Sequence, residues 1–148
     1  AGAINNVYEH VEDKFLVLNG DTLLNINYDT FYNDADLNLF MACLAIKKVN
    51  KESKRYGSLC IKNQYITGFY EKEENDTNKD QYINLGCYML RKKIFKKENI
   101  GKQLSLELDI LPVKSKENKV GYCLYNQDFI DIGTPESFLL AKEFSYDC

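Results

Sequence analysis

Residues 15–22, FLVLNGDT, have the pattern of a strand that runs into a turn. An unbroken apolar run over 15–18 ends at once in Asn19-Gly20-Asp21. A short continuous run closed by a turn signal predicts a strand buried on both faces of a parallel sheet. A carboxylate placed directly after such a strand lies where open α/β sheets take their ligands, beyond the carboxyl ends of the strands. Ahead of the run, Ile4, Val7, Tyr8 and Val11 recur at i, i+3, i+4 and i+7, which predicts one face of a helix. Helix, buried strand and turn form part of a βαβ pattern whose first strand lies outside this sequence.

Working outward, residues 29–33 read as a short helix and 40–49 as a strand. Residues 58–61, 65–70 and 82–90 are β-like, rich in Tyr, Ile, Cys and Phe, and Asn63-Gln64 predicts a tight hairpin between the first two. The polar, aperiodic stretch 73–80 reads as a loop, and 92–98 as a helical turn. Ser105 opens a helix over 105–111, with Glu107 and Asp109 favourably placed near its positive end. Strands follow at 120–125 and 129–132. Thr134 is the N-cap and Pro135 the first residue of a closing helix, with Phe138, Leu139 and Ala141 facing the sheet. The sum is one α/β domain over residues 1–148, parallel at its start and hairpin-like in its middle.

Composition narrows the function classes. The 148 residues are 45% hydrophobic with a net charge of −3, which suits a globular chain and excludes a disordered one. The basic residues form no stripe, so no nucleic-acid partner is expected. No apolar run approaches the ~20 residues of a membrane span and no signal-like leader opens the chain, so a cytoplasmic location is the default expectation. The 5 cysteines include no CxxC pair, and most sit in apolar runs, which predicts reduced, buried thiols. His10 is the only histidine, which argues against Ser/His or Cys/His chemistry.

Asp21 and Asp131 each follow an apolar strand at a turn, Asp131 within FIDIGTP at 129–135. Mg²⁺ takes one or two carboxylates and completes its shell with water and substrate phosphate. Two aspartates brought to one sheet edge suit it; the competing reading is that each merely caps local backbone. Glu71-Lys72 closes a β segment, offering a carboxylate to hydroxyls and an ammonium to a phosphate, although solvated strand-end charges are the commoner meaning. Tyr56-Gly57 and Leu85-Gly86 set glycines beside strands, where a backbone or ligand can approach closely. Asn84, polar within an apolar strand, is either a hydrogen-bonded core residue or a ligand contact.

Taken in order, Gly2-Ala3-Ile4, FLVLNGDT, Arg55-Tyr56-Gly57, Phe69-Tyr70-Glu71-Lys72, INLGCYML at 83–90, Ser105-Leu106-Glu107 and FIDIGTP resemble the sugar-1-phosphate nucleotidyltransferases. Among them the chain is most similar to the bacterial heptose-1-phosphate and mannose-1-phosphate guanylyltransferase-like members. The resemblance implies a Rossmann-like mixed sheet of the nucleotide-diphospho-sugar transferase type, here without its first βαβ unit or units. It implies Mg²⁺ on Asp21 and Asp131, and Glu71 and Lys72 on the sugar hydroxyls and sugar phosphate, so that Asp21, Lys72 and Asp131 carry the catalysis. It assigns Gly2, Asn19, Gly20, Tyr56, Gly57, Asn84 and Gly86 to the substrate pocket. The implied partners are a nucleoside triphosphate and a sugar 1-phosphate, with no nucleic acid and no membrane.

The family's Gly-rich triphosphate loop precedes the point where this sequence starts, and Gly2-Ala3-Ile4 matches the tail of its G-T-G-G-A-I element. The chain alone is therefore expected to bind triphosphate weakly and to be inactive by itself. The alternative to an enzyme is an inactive binding or oligomerisation module of the same fold, with an apolar sheet edge covered by self-association into a homo-oligomer.

Overall fold

The computed structural model describes residues 1–49, 57–70, 81–97 and 101–144. Its centre is β6 (Gln81–Arg91), the longest strand among them. β3 (Ala42–Val49) runs antiparallel along one edge of β6, and β7 (Val120–Tyr125) lies parallel to β3 beyond it. The other edge of β6 is shared. β1 (Lys14–Leu18) pairs with its second half, Leu18 facing Cys87, while the hairpin of β4 (Ser58–Lys62) and β5 (Tyr65–Tyr70) meets its beginning, Leu59 facing Tyr82. β2 (Thr22–Leu24) and β8 (Phe129–Asp131) form a separate antiparallel ribbon. The sheet is mixed, as the resemblance implies.

Strand periodicity divides the core in two. On β6, Ile83, Leu85, Cys87 and Met89 face one side and pack with Cys43, Ala45, Leu24 and Phe31. Tyr88 and Leu90 face the other, with Ala42, Leu44, Ile46 and Leu111. β3 reads as a continuous apolar run because both its faces are covered. At ~1.5–3 kcal/mol for each large apolar side chain fully buried, these layers dominate the stability.

Helices lie on both sides. On the first face α2 (Tyr28–Asp34) is capped by Asn27, whose Oδ1 accepts the Thr30 N–H at 2.8 Å, and it buries Phe31. The second face is covered by α1 (Gly2–Asn6), by a π-helical turn at Leu106–Ile110, and by α3 (Leu111–Lys116), which continues that turn. α4 (Pro135–Leu140) is the last α-helix of the described residues, and a 3-10 turn at Ala141–Glu143 follows it. Among the described residues no helix is long and apolar enough to cross a membrane.

Several expectations need correction. β1 is half-buried and its described partner, β6, is antiparallel, so it is not a strand covered on both faces of a parallel sheet. An apolar run reports burial tendency but not the direction of the neighbouring strand. The N-terminal helix is shorter than its periodicity suggests: α1 ends at Asn6, a 3-10 turn follows at Tyr8–His10, and Val7 faces outward while Ile4 and Tyr8 reach the core. Phe138 and Leu139 do not face the sheet. They are 56% and 61% exposed, and the buried residue of α4 is Ser137. Cys60 is exposed, because strand alternation turns it away from buried Leu59; Cys43 and Cys87 are buried, and the four described thiols are free. The loop expected at 73–80 lies outside the described residues.

Candidate active site

Two local devices build the site. The first is the β2–β8 ribbon, in which Thr22 faces Asp131 and the Ile132 N–H donates to the Asp21 carbonyl at 2.8 Å. The backbones of Asp21 and Asp131, 110 positions apart in the chain by subtraction of their numbers, thus meet diagonally at one ribbon end. Asp131 Oδ1 also accepts the Gly133 N–H at 2.7 Å, so the local capping reading is correct for that oxygen. A Cβ on Gly133 would stand 2.9 Å from the same oxygen, so glycine is what lets the carboxylate fold back there. Over Gly20 there is open space, with nothing within 4 Å of where a Cβ would be.

The second device is the shared edge of β6. Continuing the β1 register past Leu18–Cys87 sets Asn19 across from Gly86, and the Asn19 N–H donates to the Gly86 carbonyl at 2.8 Å. Continuing the β4 register from Leu59–Tyr82 by two residues brings Gly57 level with Asn84. Gly57, Asn84, Gly86 and Asn19 therefore line the interval between the end of β1 and the start of β4. Gly57 also lies close to the Tyr70 carbonyl, 3.0 Å from where its Cβ would be, at the end of β5.

Gly86 has φ +70, a left-handed conformation that glycine adopts freely. A side chain there would also strike Asn19, whose Nδ2 is 2.9 Å from the Cβ position. Asn84 is half-buried, and its amide is engaged within the protein. Its Nδ2 donates to Tyr88 Oη at 2.7 Å and to Glu107 Oε1 at 2.6 Å, while its Oδ1 accepts the Gly86 N–H at 3.0 Å. Of the two meanings open to Asn84, the structure supports the hydrogen-bonded one. Tyr88 Oη donates to the same Glu107 oxygen at 2.5 Å, and burial, then the Glu107 charge, push its phenol well above the ordinary tyrosine range.

Gly2 donates its N–H to the Leu104 carbonyl at 3.0 Å, which ties it to the segment leading into the Glu107 turn rather than to the aspartate ribbon. Tyr56, Glu71 and Lys72 lie outside the described residues. Sequence alone does not mark Tyr88 and Glu107 as partners of Asn84. Period two was the available signal, since Asn84, Gly86 and Tyr88 share one strand face.

Asp21 and Asp131 are oxygen donors of the type that a hard divalent cation takes. Among the described residues no group of three or more His, Cys, Asp or Glu side chains is arranged to hold a metal ion. Two carboxylates alone suit Mg²⁺, which keeps waters and takes phosphate oxygens, and do not suit a metal that needs a closed protein cage.

Known proteins resemble this chain in sequence and fold. A D-glycero-α-D-manno-heptose 1-phosphate guanylyltransferase from Campylobacter jejuni is 34% identical over 137 residues, covering 93% of this chain and 58% of the relative. One from Aneurinibacillus thermoaerophilus is 28% identical, covering 96% and 60%. The crystal structure of HddC from Yersinia pseudotuberculosis superposes with a TM-score of 0.76 at 32% identity, covering 96% of this chain and 60% of that one, and the same protein has been solved with GMP-PN. The chain thus spans about 60% of the length of these relatives. The family model described as nucleotidyl transferase matches residues 1–147. With a mixed sheet, two aspartate turns joined by a ribbon and a match along nearly its whole length, this chain belongs to the nucleotidyl transferase family.

Proposed function

We propose that this chain carries the sugar-phosphate and cation side of a site that moves a nucleotidyl group from a nucleoside triphosphate to a sugar 1-phosphate. The carrying observation is the β2–β8 ribbon, which makes neighbours of Asp21 and Asp131. In the reaction, a phosphate oxygen of the sugar 1-phosphate forms a bond to the α-phosphorus of the triphosphate. The bond between that phosphorus and the β-phosphate bridging oxygen breaks, and pyrophosphate leaves. A bound Mg²⁺ would supply charge neutralisation at the phosphates, held by Asp21 and Asp131.

The chain's own contribution is positioning, which accounts for most catalysis of this type. The open space over Gly20 admits a phosphate-bearing ligand to the turn. Gly57 and Gly86 line the interval where the sugar would lie, Asn19 and Asn84 shape its floor, and Glu71 and Lys72 follow directly on β5 in the chain. Gly2 and Tyr56 complete the proposed substrate contacts. The named heptose 1-phosphate guanylyltransferases among its relatives favour a heptose or mannose type of sugar and GTP.

Incubation of the whole protein with a panel of triphosphates and sugar 1-phosphates tests this reading. Asp21→Asn and Asp131→Asn should each lower kcat on the order of 10²–10³-fold, as loss of one charge-stabilising group does elsewhere. Turnover unchanged in both variants would remove the cation assignment.

A further inference from the structure

Beside the proposed cation site, Tyr88, Asn84 and Glu107 meet in a closed triangle. Tyr88 is 1% exposed, and Glu107 reaches it from the exposed π-helical turn at Leu106–Ile110. One carboxylate oxygen accepts from both partners, at 2.5 Å from Tyr88 Oη and 2.6 Å from Asn84 Nδ2. Hydrogen bonds to an ionised acceptor are roughly twice as strong as neutral ones, so this corner is the stiffest part of the cluster.

The network extends in one direction. Asn84 Oδ1 holds the Gly86 N–H at 3.0 Å, and the Gly86 carbonyl in turn holds the Asn19 N–H at 2.8 Å. The Asn19 side chain fills the space that glycine leaves at position 86. The route from Glu107, with Tyr88 bonded to both Glu107 and Asn84, therefore ends on Asn19, two residues before Asp21. Satisfying the core alone does not require this arrangement. An apolar residue at 84 with phenylalanine at 88 would fill the same face and leave no buried polar group in need of a partner.

We propose that Glu107 is a positioning residue which, through Tyr88 and Asn84, fixes the Asn19-Gly20-Asp21 turn and thereby the carboxylate that receives the divalent cation. This inference rests on reading Asp21 as a cation ligand. Partners one shell out from a metal commonly change its affinity by 10–100-fold when removed. Here the lever is the orientation of a turn rather than a direct bond to the ligand.

The test needs no turnover. Mn²⁺ is titrated into the full chain and the free ion is followed by electron paramagnetic resonance. The proteins compared are the parent chain and Asp21→Ala, Tyr88→Phe, Glu107→Ala and Glu107→Gln variants, each checked for cooperative urea unfolding. The expected result is loss of binding in Asp21→Ala and weakening by about 10-fold or more in Tyr88→Phe and Glu107→Ala. Glu107→Gln, which keeps an acceptor oxygen in place, should recover part of that loss, whereas a merely structural role would leave binding level across all folded variants. Mn²⁺ binding in Asp21→Ala equal to the parent would overturn the ligand assignment and this inference with it. Loss in Asp21→Ala alone, with parent-like affinity in Tyr88→Phe and Glu107→Ala, would overturn this inference and leave the ligand assignment standing.

Discussion

At the scale of single residues, the site depends on glycines whose reasons differ. Gly133 makes room for the Asp131 carboxylate, Gly86 supplies a left-handed turn and space for Asn19, and Gly20 leaves its surroundings open. Gly86→Ala combines a positive φ with contact against Asn19 and should destabilise the fold by about 1–3 kcal/mol, read as a lowered urea midpoint. Gly20→Ala meets nothing and should leave that midpoint where it is. An equal loss in both would show that local backbone freedom, not packing on Asn19, sets the cost. Residue identity alone marks positions 57, 84 and 86, two glycines beside strands and an amide within an apolar one. It did not tell which of Asn84's groups are already engaged, because Glu107 meets it only through the fold.

Element boundaries were legible wherever local chemistry sets them. The hairpin at Asn63-Gln64, with Asn63 at φ 56, the strands around it, and Thr134 with Pro135 at the start of α4 all appear as the sequence predicts. What failed was orientation. α4 has a Thr134–Ser137 capping box, yet it exposes Phe138, Leu139 and Leu140, so little packing holds it and the cap carries more of the load. Thr134→Ala should therefore cost the helix about 1 kcal/mol. Amide exchange across Pro135–Leu140 should rise roughly 5-fold with no change in β3, since that energy at 25 °C corresponds to such a factor. Exchange at α4 unchanged by the substitution would mean that tertiary contacts, not the cap, hold it. The parallel setting expected for β1 failed for a similar reason, because a strand's partner and direction are decided by residues far off in sequence.

For the molecule as a whole, the two-sided sheet sets a pH limit on stability. Burial pushes the Cys87 thiol up to about 12 and moves Tyr88 in the same direction. Both groups hold their protons more tightly folded than unfolded. Their contribution is complete below the unfolded thiol value, near pH 9, and is lost as pH rises through the folded value. Unfolding free energy should fall from about pH 9 upward, and the decline should be shallower in Cys87→Ala. Equal slopes in the two proteins would show that this thiol stays solvated. The family was readable at this scale because its motifs stand in order along almost the entire chain. The ribbon that joins Asp21 to Asp131 is the opposite case, a pairing between distant segments that only the folded chain displays.

Nucleotidyl transfer to a sugar 1-phosphate can be followed by phosphorus-31 NMR of the whole protein with Mg²⁺, GTP and a heptose or mannose 1-phosphate. One pyrophosphate is expected for each new phosphodiester resonance, with neither formed when the sugar phosphate is omitted and both lost in Asp21→Asn. Pyrophosphate or inorganic phosphate released at the same rate without the sugar phosphate, or a phosphodiester formed undiminished by Asp21→Asn, would contradict it.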